Sequence, residues 1–116
     1  MNFCDFIEDG IFSPTLIAAA LKTTESEMAS TLGLGQSAFS RAKRLRAKKT
    51  QTRLRHMLEI LSRANHSTSS LIESYVWYRT EPIVGFGGQT ASSLVREGNA
   101  DYVNEYFERK WAGGHA

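Results

Sequence analysis

The stretch "TRLRHMLEILSRAN", residues 52–65, has a regular pattern of apolar residues. Its apolar side chains recur at positions i, i+3, i+4 and i+7, a spacing that puts them on one face of an α-helix. They are Leu54, Met57, Leu58 and Leu61. The intervening positions are largely charged or polar, so this segment is predicted to form an amphipathic helix whose apolar face is covered by other elements.

Upstream segments carry the residues that start and stop helices. "SPTLIAAALK" offers Ser13 as an N-cap and Pro14 at the first helical position, where its missing N–H costs nothing. "TESEMASTLG" opens with Thr24, has Glu27 three residues later as in a capping box, and ends at Gly33. Two helices are therefore predicted before residue 34.

The polar segment "HSTSS", residues 66–70, is predicted to interrupt the helices. Ser70 and Glu73 repeat the capping-box spacing and begin a helix that runs to about Tyr78. The predicted buried face of that helix consists of Leu71, Ile72, Tyr75 and Val76.

Two further helices are predicted near the end of the chain. The first has Thr90 as its cap and Gly98 as its stop, and the second begins at Asn99 and stops at Gly113. The last helix is predicted to turn four side chains inward: Ala100, Val103, Phe107 and Trp111. No stretch alternates like a strand over more than a few residues. The expected fold is all-α, with six to seven short helices.

Charge is distributed unevenly along the chain. Residues 1–34 sum to −4, residues 35–66 to +8 and residues 67–116 to −2, although the whole chain carries only +2. Six of the nine residues from Arg41 to Lys49 are bases. Only the middle third is therefore expected to meet a polyanion.

Composition also points to a cellular location. No apolar run approaches the roughly 20 residues that span a bilayer, and the start "MNFCDFIEDG" is acidic where a secretory signal would be basic. The single cysteine, Cys4, cannot form an internal disulfide. We expect a cytoplasmic protein with no membrane association.

The stretch "EMASTLGLGQSAFSRAKR", residues 27–44, is predicted to form two helices joined by a tight turn. Ala29 is small where the helices would cross, and Gly33 lies where the turn requires a left-handed conformation. The shared core would contain Met28, Leu32, Leu34 and Phe39. This spacing resembles the helix-turn-helix of phage-repressor-like regulators, whose second helix enters the major groove of DNA. That second helix is predicted from about Gln36 to Arg44.

The resemblance implies two sets of DNA contacts. Base edges would be contacted by Gln36, Ser37, Ser40 and Arg41, and phosphates by Lys43, Arg44, Arg46, Lys48 and Lys49. The alternative is that these bases form the solvated face of an ordinary helical domain.

The stretch "EPIVGFGGQT", residues 81–90, is an unusually apolar connection between two helices. Pro82 ends the preceding helix, and the three glycines permit positive φ angles or close backbone approach. Ile83 and Phe86 are expected to fold under the loop onto Trp77 and Trp111. The loop is thus predicted both to pack and to contact a partner.

Residues 70–116, including "WYRTEPIVGFGGQTASSLVREGNADYVNEYFERKWAGG", resemble the toxin-binding domain of the Xre/MbcA/ParS-like antitoxins. Several residues occur in the order typical of that family: Trp77, Pro82, Gly87, Gly88, Thr90, Leu94, Gly98 and Gly113. Ala91 is a departure, because many members have proline there. The implied organisation is a helix-turn-helix part over residues 1–66 and a toxin-binding domain over residues 67–116.

The resemblance implies a type II antitoxin that neutralises a RES-domain, NAD-degrading toxin and represses its own operon at operator DNA. Members commonly dimerise, and Phe3, Phe6 and Ile7 are hypothesised to form that interface. Contacts with the toxin would come from the loop and the end of the chain: Phe86, Gly87, Gly88, Gln89, Thr90, Trp111, Gly113, Gly114 and His115. Trp77, Leu94 and Phe107 are expected to serve packing alone.

Other functions stay open. A stand-alone helix-turn-helix regulator without a toxin would use the same DNA-binding residues, and a pure adaptor would not bind DNA at all. An enzyme is disfavoured, because Cys4, His56, His66 and His115 lack partners at a spacing that would fix a general base or a metal. No catalytic residue, metal ligand or cofactor is expected.

Overall fold

The computed structural model describes residues 2–114 and contains seven α-helices. These are α1 (Pro14–Leu21), α2 (Glu25–Thr31), α3 (Ala42–Leu45), α4 (Lys48–Ala64), α5 (Leu71–Thr80), α6 (Ala91–Arg96) and α7 (Ala100–Gly114). The predicted all-α class is confirmed. The last helix extends one residue past the predicted stop at Gly113.

The start of the chain departs from the prediction. A 3-10 helix (Phe3–Phe6) leads into an antiparallel hairpin of two short strands, β1 (Ile7–Glu8) and β2 (Ile11–Phe12). Asp9 and Gly10 join the strands with positive φ angles of 54° and 83°. Aspartate followed by glycine is the signature of a two-residue hairpin turn, but strands of two residues are too short to give the alternation by which a strand is recognised in sequence.

The long helix α4 forms the centre of the fold. Its predicted apolar residues Leu54, Met57, Leu58 and Leu61 are all fully buried, and Ile60 is buried with them. Each such side chain contributes on the order of 1.5–3 kcal/mol through removal from water. Because α1, α2, α5, α6 and α7 all place residues in the same hydrophobic cluster as α4, residues from both predicted parts of the chain share one core.

Side-chain caps begin four of the helices as predicted. Ser13, Thr24, Ser70 and Thr90 each accept a bond from a main-chain N–H in the first turn of α1, α2, α5 and α6. In α2 the second half of the capping box is altered, because Glu27 accepts from the hydroxyl of Thr23 at 2.8 Å. The local sequence therefore sets these starts.

The buried face of α5 was predicted correctly only in part, since Tyr75 is buried as expected. Ile72 and Val76 are exposed, at 40% and 45%, whereas Ser74, Tyr75 and Tyr78 are buried. The hydroxyl of Ser74 donates to the main-chain oxygen of Ser70 at 3.1 Å, so this serine tolerates burial.

Candidate nucleic-acid and partner-binding surfaces

Six exposed bases form a basic segment on α3 and the start of α4. They are Arg41, Lys43, Arg44, Arg46, Lys48 and Lys49. Within residues 2–114 the structure contains one salt bridge, between Arg55 and Glu59 at 4.0 Å, so no carboxylate neutralises a base of this segment. The basic segment therefore presents its charge to solvent.

The start of α4 is unfavourable for an isolated helix. Its N-cap is Ala47, which provides no side-chain bond, and Lys48 and Lys49 occupy the first turn, where the helix dipole is positive. The positive end of the helix dipole and the two ammonium groups would both favour a bound anion. Residues that destabilise the helix in which they lie are characteristic of functional sites.

The predicted recognition helix from Gln36 to Arg44 is wrong as a continuous helix. Residues 36–40 form turns, Arg41 has an extended backbone with φ −108° and ψ 122°, and only the four residues of α3 are helical. Ser37 and Ser40 compete for the helix's hydrogen-bonding groups, since the hydroxyl of Ser40 donates to the main-chain oxygen of Ser37. Ala38 is buried and anchors this segment to the protein.

The four predicted base-reading residues lie on or beside these turns. Gln36, Ser40 and Arg41 are exposed, whereas Ser37 is half-buried and accepts a hydrogen bond from the guanidinium of Arg44. This bond links the predicted base-reading residues to the predicted phosphate-binding residues. Whether any of them contacts DNA stays a prediction.

The helix before these turns disfavours contact with DNA. Glu25 and Glu27 occupy the first turn of α2 and are exposed. In a helix-turn-helix the first helix crosses the phosphate backbone, and carboxylates there would repel it. The favourable electrostatic surface is therefore the basic segment and not α2.

The loop between α5 and α6 is ordered by its own main chain. Pro82 pairs with Thr90 in an antiparallel bridge, and the N–H of Ile83 donates to the oxygen of Gln89 at 2.8 Å. The intervening Gly85, Gly87 and Gly88 have φ angles of 93°, 64° and 84°. These left-handed conformations explain the glycines, because other residues adopt them at a cost.

Two predicted partner residues also stabilise the start of α6. The hydroxyl of Thr90 accepts from the N–H of Ser93 at 3.1 Å, and the side chain of Gln89 accepts from the hydroxyl of Ser93 at the same distance. Both Gln89 and Thr90 are half-buried. Gly87 and Gly88 are exposed, so the outer side of the loop offers main chain to a partner.

Phe86 does not fold onto Trp77 or Trp111 as predicted. Its ring stacks on Tyr102 in the first turn of α7, with the centroids 5.4 Å apart. Trp77 packs on Phe107 instead, at 5.5 Å. Ile83 is buried in the core as expected.

Trp111 is half-buried at the junction of α4 and α7. Its ring stacks on Phe107 at 5.6 Å, meets His66 edge to face at 5.5 Å, and lies 5.6 Å from the guanidinium carbon of Arg63. Gly113 and Gly114 form the last turn of α7, and His115 lies outside the described residues. Trp111 therefore has a packing role whether or not it also contacts a partner.

The basic segment and Trp111 lie at different ends of α4. Lys48 begins the helix, and Arg63, which contacts Trp111, lies fifteen residues further on. At 1.5 Å per residue the separation is about 22 Å along the axis. Trp111 is therefore well separated from the basic segment.

Two polar side chains have structural roles that the sequence patterns did not reveal. The amide of Gln51 accepts from the N–H of Phe12 at 2.9 Å and donates to the main-chain oxygens of Phe12 and Leu45 at 3.3 and 2.9 Å. Arg53 donates to the main-chain oxygens of Leu32 and Gly33 at 2.8 and 3.0 Å. Both residues lie in α4, shortly after its first turn. Their partners are distant in sequence, so residue type alone does not identify them.

The described part of the chain offers no metal centre, since no three His, Cys, Asp or Glu side chains cluster closely enough there. Across residues 2–114, none of the helices combines the length and apolar composition that crossing a bilayer requires. Phe6 is buried, which removes it from the hypothesised dimer interface, while Ile7 is exposed.

No family model, curated protein or solved structure matches the chain.

Proposed function

We propose that this chain is an antitoxin that binds operator DNA through the basic segment and covers a RES-domain, NAD-degrading toxin with its C-terminal part. The observation that carries the DNA half is the group of six exposed bases without a salt bridge, placed on α3 and on the start of α4. Neutralising DNA phosphates with such side chains releases counterions and favours binding.

Phosphate contacts and base contacts are assigned to different residues. Lys43, Arg44, Arg46, Lys48 and Lys49 are proposed to bind phosphates. Gln36, Ser37, Ser40 and Arg41 are proposed to lie near base edges, presented by turns and not by a continuous recognition helix. In this arrangement, discrimination between DNA sequences depends on the conformation of residues 36–40, to which the hydrogen bond from Arg44 to Ser37 contributes.

The toxin half of the proposal rests on the resemblance of residues 70–116 to antitoxin toxin-binding domains. It is supported by the exposed main chain of Gly87 and Gly88 and by the position of Phe86 at the surface. A homodimer would place two basic segments on a palindromic operator, about 34 Å apart. Without a toxin, the same surfaces would describe a stand-alone regulator.

A salt titration tests the DNA half. Binding of the chain to duplex DNA from upstream of its own operon is measured by fluorescence anisotropy between about 50 and 200 mM salt. If the five residues assigned to phosphates each neutralise one phosphate, the slope of log K against log salt is about −4.5. The double variant Lys43→Ala/Arg44→Ala should bind more weakly, with a slope shallower by about 2.

The matched control is Arg79→Ala/Lys110→Ala, which removes the same charge from exposed positions on α5 and α7. Its salt slope should stay close to that of the unmodified chain. Unchanged binding of the Lys43/Arg44 variant would remove the basic segment as the DNA-binding surface.

A further inference from the structure

A groove of about 550 Å³ lies between the loop and the exposed side of α7. It is lined by Gly85, Phe86, Glu105, Glu108, Arg109 and Ala112. Gly85 adds no side chain, and a Cβ atom built there would meet nothing within 4 Å. The groove is therefore open from the loop side.

The lining combines an aromatic ring with two carboxylates. Phe86 is half-buried and held by its stacking on Tyr102, whereas Glu105 and Glu108 are exposed. Neither carboxylate forms a salt bridge with any residue in the described range 2–114. A ring face attracts cations through its quadrupole, and unpaired carboxylates attract them through charge.

A cation of the chain itself already lies over this ring. The guanidinium carbon of Arg109 is 5.8 Å from the centroid of Phe86. Arg109 is exposed and lies outside the 4.0 Å range of a salt bridge to Glu105, four residues earlier. A guanidinium group can therefore lie over Phe86 in this groove, while Glu105 and Glu108 stay without a salt bridge in residues 2–114.

We propose that this groove receives an arginine side chain of the protein partner, and that Arg109 occupies part of the same position in the free protein. The proposal rests on the proposed function, because the antitoxin's toxin is taken as the protein that supplies the arginine. Arginine is favoured over lysine because its planar group stacks on a ring while donating to two carboxylates. Val84, which is 81% exposed beside the groove, offers an apolar contact at its edge.

A small-molecule probe tests the groove without the toxin. N-acetyl-arginine amide is titrated into the isotopically labelled chain, and the backbone NMR signals of Gly85 and Phe86 are followed. N-acetyl-citrulline amide has the same length and a planar end but no charge, so it serves as the matched ligand. The arginine probe should give saturable shifts at both residues, and the citrulline probe should not.

Variants with opposite expected effects sharpen this test. Glu105→Gln/Glu108→Gln should weaken binding of the arginine probe by about five- to tenfold, because it removes both charge contacts. Arg109→Gln should strengthen binding by about two- to fivefold, because it removes a competing cation. Glu8→Gln/Glu97→Gln, which removes two exposed carboxylates outside the groove, should change little.

The same variants are then measured against the toxin encoded by the adjacent gene. The inference predicts weaker toxin binding for Glu105→Gln/Glu108→Gln and tighter binding for Arg109→Gln. Toxin binding that is equal in all variants, together with no probe shifts, would overturn the groove and leave the antitoxin proposal standing. Probe binding at Gly85 and Phe86 with no toxin complex would support the groove and contradict the proposed function.

Discussion

The guanidinium of Arg53 on α4 donates a hydrogen bond to the main-chain oxygen of Arg96 at the end of α6, at a distance of 3.0 Å. The same side chain binds the main-chain oxygens at the end of α2, so one arginine serves the carbonyl ends of two helices. Cations are favourable there because the helix dipole is negative. The hydroxyl of Ser92 adds a bond to the oxygen of Thr31 at 2.7 Å. These contacts join the helix before the basic segment to the helix after the loop.

Arg53→Met should lower the free energy of unfolding by about 2–3 kcal/mol, because three main-chain oxygens lose a charged donor. Urea unfolding followed by tryptophan fluorescence measures this. The matched variant is Arg55→Met, which removes only the 4.0 Å pair with Glu59 and should cost less than about 0.5 kcal/mol. Equal effects of the two variants would contradict the role assigned to Arg53.

Gly33→Ala should destabilise the protein more than Gly98→Ala. Both glycines follow a helix with positive φ angles, 69° and 82°, so both substitutions carry a backbone cost of about 1–2 kcal/mol. Only at Gly33 would the new Cβ atom meet other atoms closely, at 2.9 Å from Cγ of Arg96 and 3.1 Å from Nη1 of Arg53. Chemical denaturation of the two variants compares them, and a larger loss for Gly98→Ala would contradict the close packing at Gly33.

Tyr78→Phe should stabilise the protein by about 1 kcal/mol, since the buried hydroxyl of Tyr78 has no hydrogen-bond partner in the structure. Tyr75→Phe is the matched variant and should be slightly destabilising, because its hydroxyl donates to Thr31 at 3.3 Å. Thermal unfolding at neutral pH measures both. A loss of stability in Tyr78→Phe would indicate that its hydroxyl has a partner.

Alkaline pH gives Tyr78 a second test. Burial raises the pKa of the Tyr78 phenol above its usual value of 10.0. The unfolded chain therefore releases this proton first, and the stability that depends on the neutral phenol falls as pH rises past about 10. The difference in stability between Tyr78→Phe and the unmodified chain should widen over that range. A constant difference would contradict the raised pKa.

Acid pH should reveal the capping role of Glu73. Hydrogen bonds from the hydroxyl and N–H of Ser69 lower the pKa of Glu73 below its usual value of 4.5. Its contribution to stability is therefore present above about pH 4.5 and is lost as pH falls through the lowered pKa. Glu73→Gln should lose this pH-dependent part, measured by urea unfolding across acid pH. An unchanged acid profile in Glu73→Gln would contradict the cap.

The elements that were predicted correctly depend on local signals. The caps at Ser13, Thr24, Ser70 and Thr90 are set by residues within the same turn, and the apolar face of α4 by a spacing of one or two turns. The hairpin turn of Asp9 and Gly10 was also a local signal, but the strands on either side are too short to alternate visibly.

The features that were predicted wrongly depend on tertiary contacts. The exposed face of α5 depends on which side chains fill the core, and the position of Phe86 depends on its contact with Tyr102 on α7. The broken helix after Gln36 reflects serine side chains that compete with the helix. The long-range bonds of Gln51 and Arg53 leave no periodic pattern, so the sequence did not indicate them.

The most direct test of the antitoxin proposal is NAD consumption by the product of the adjacent gene, measured with and without this chain. The two proteins are co-expressed, and size-exclusion chromatography establishes whether they elute together. We expect co-elution and loss of NAD consumption when the chain is present. An adjacent product that consumes NAD at the same rate with and without the chain, or that consumes none, would contradict it.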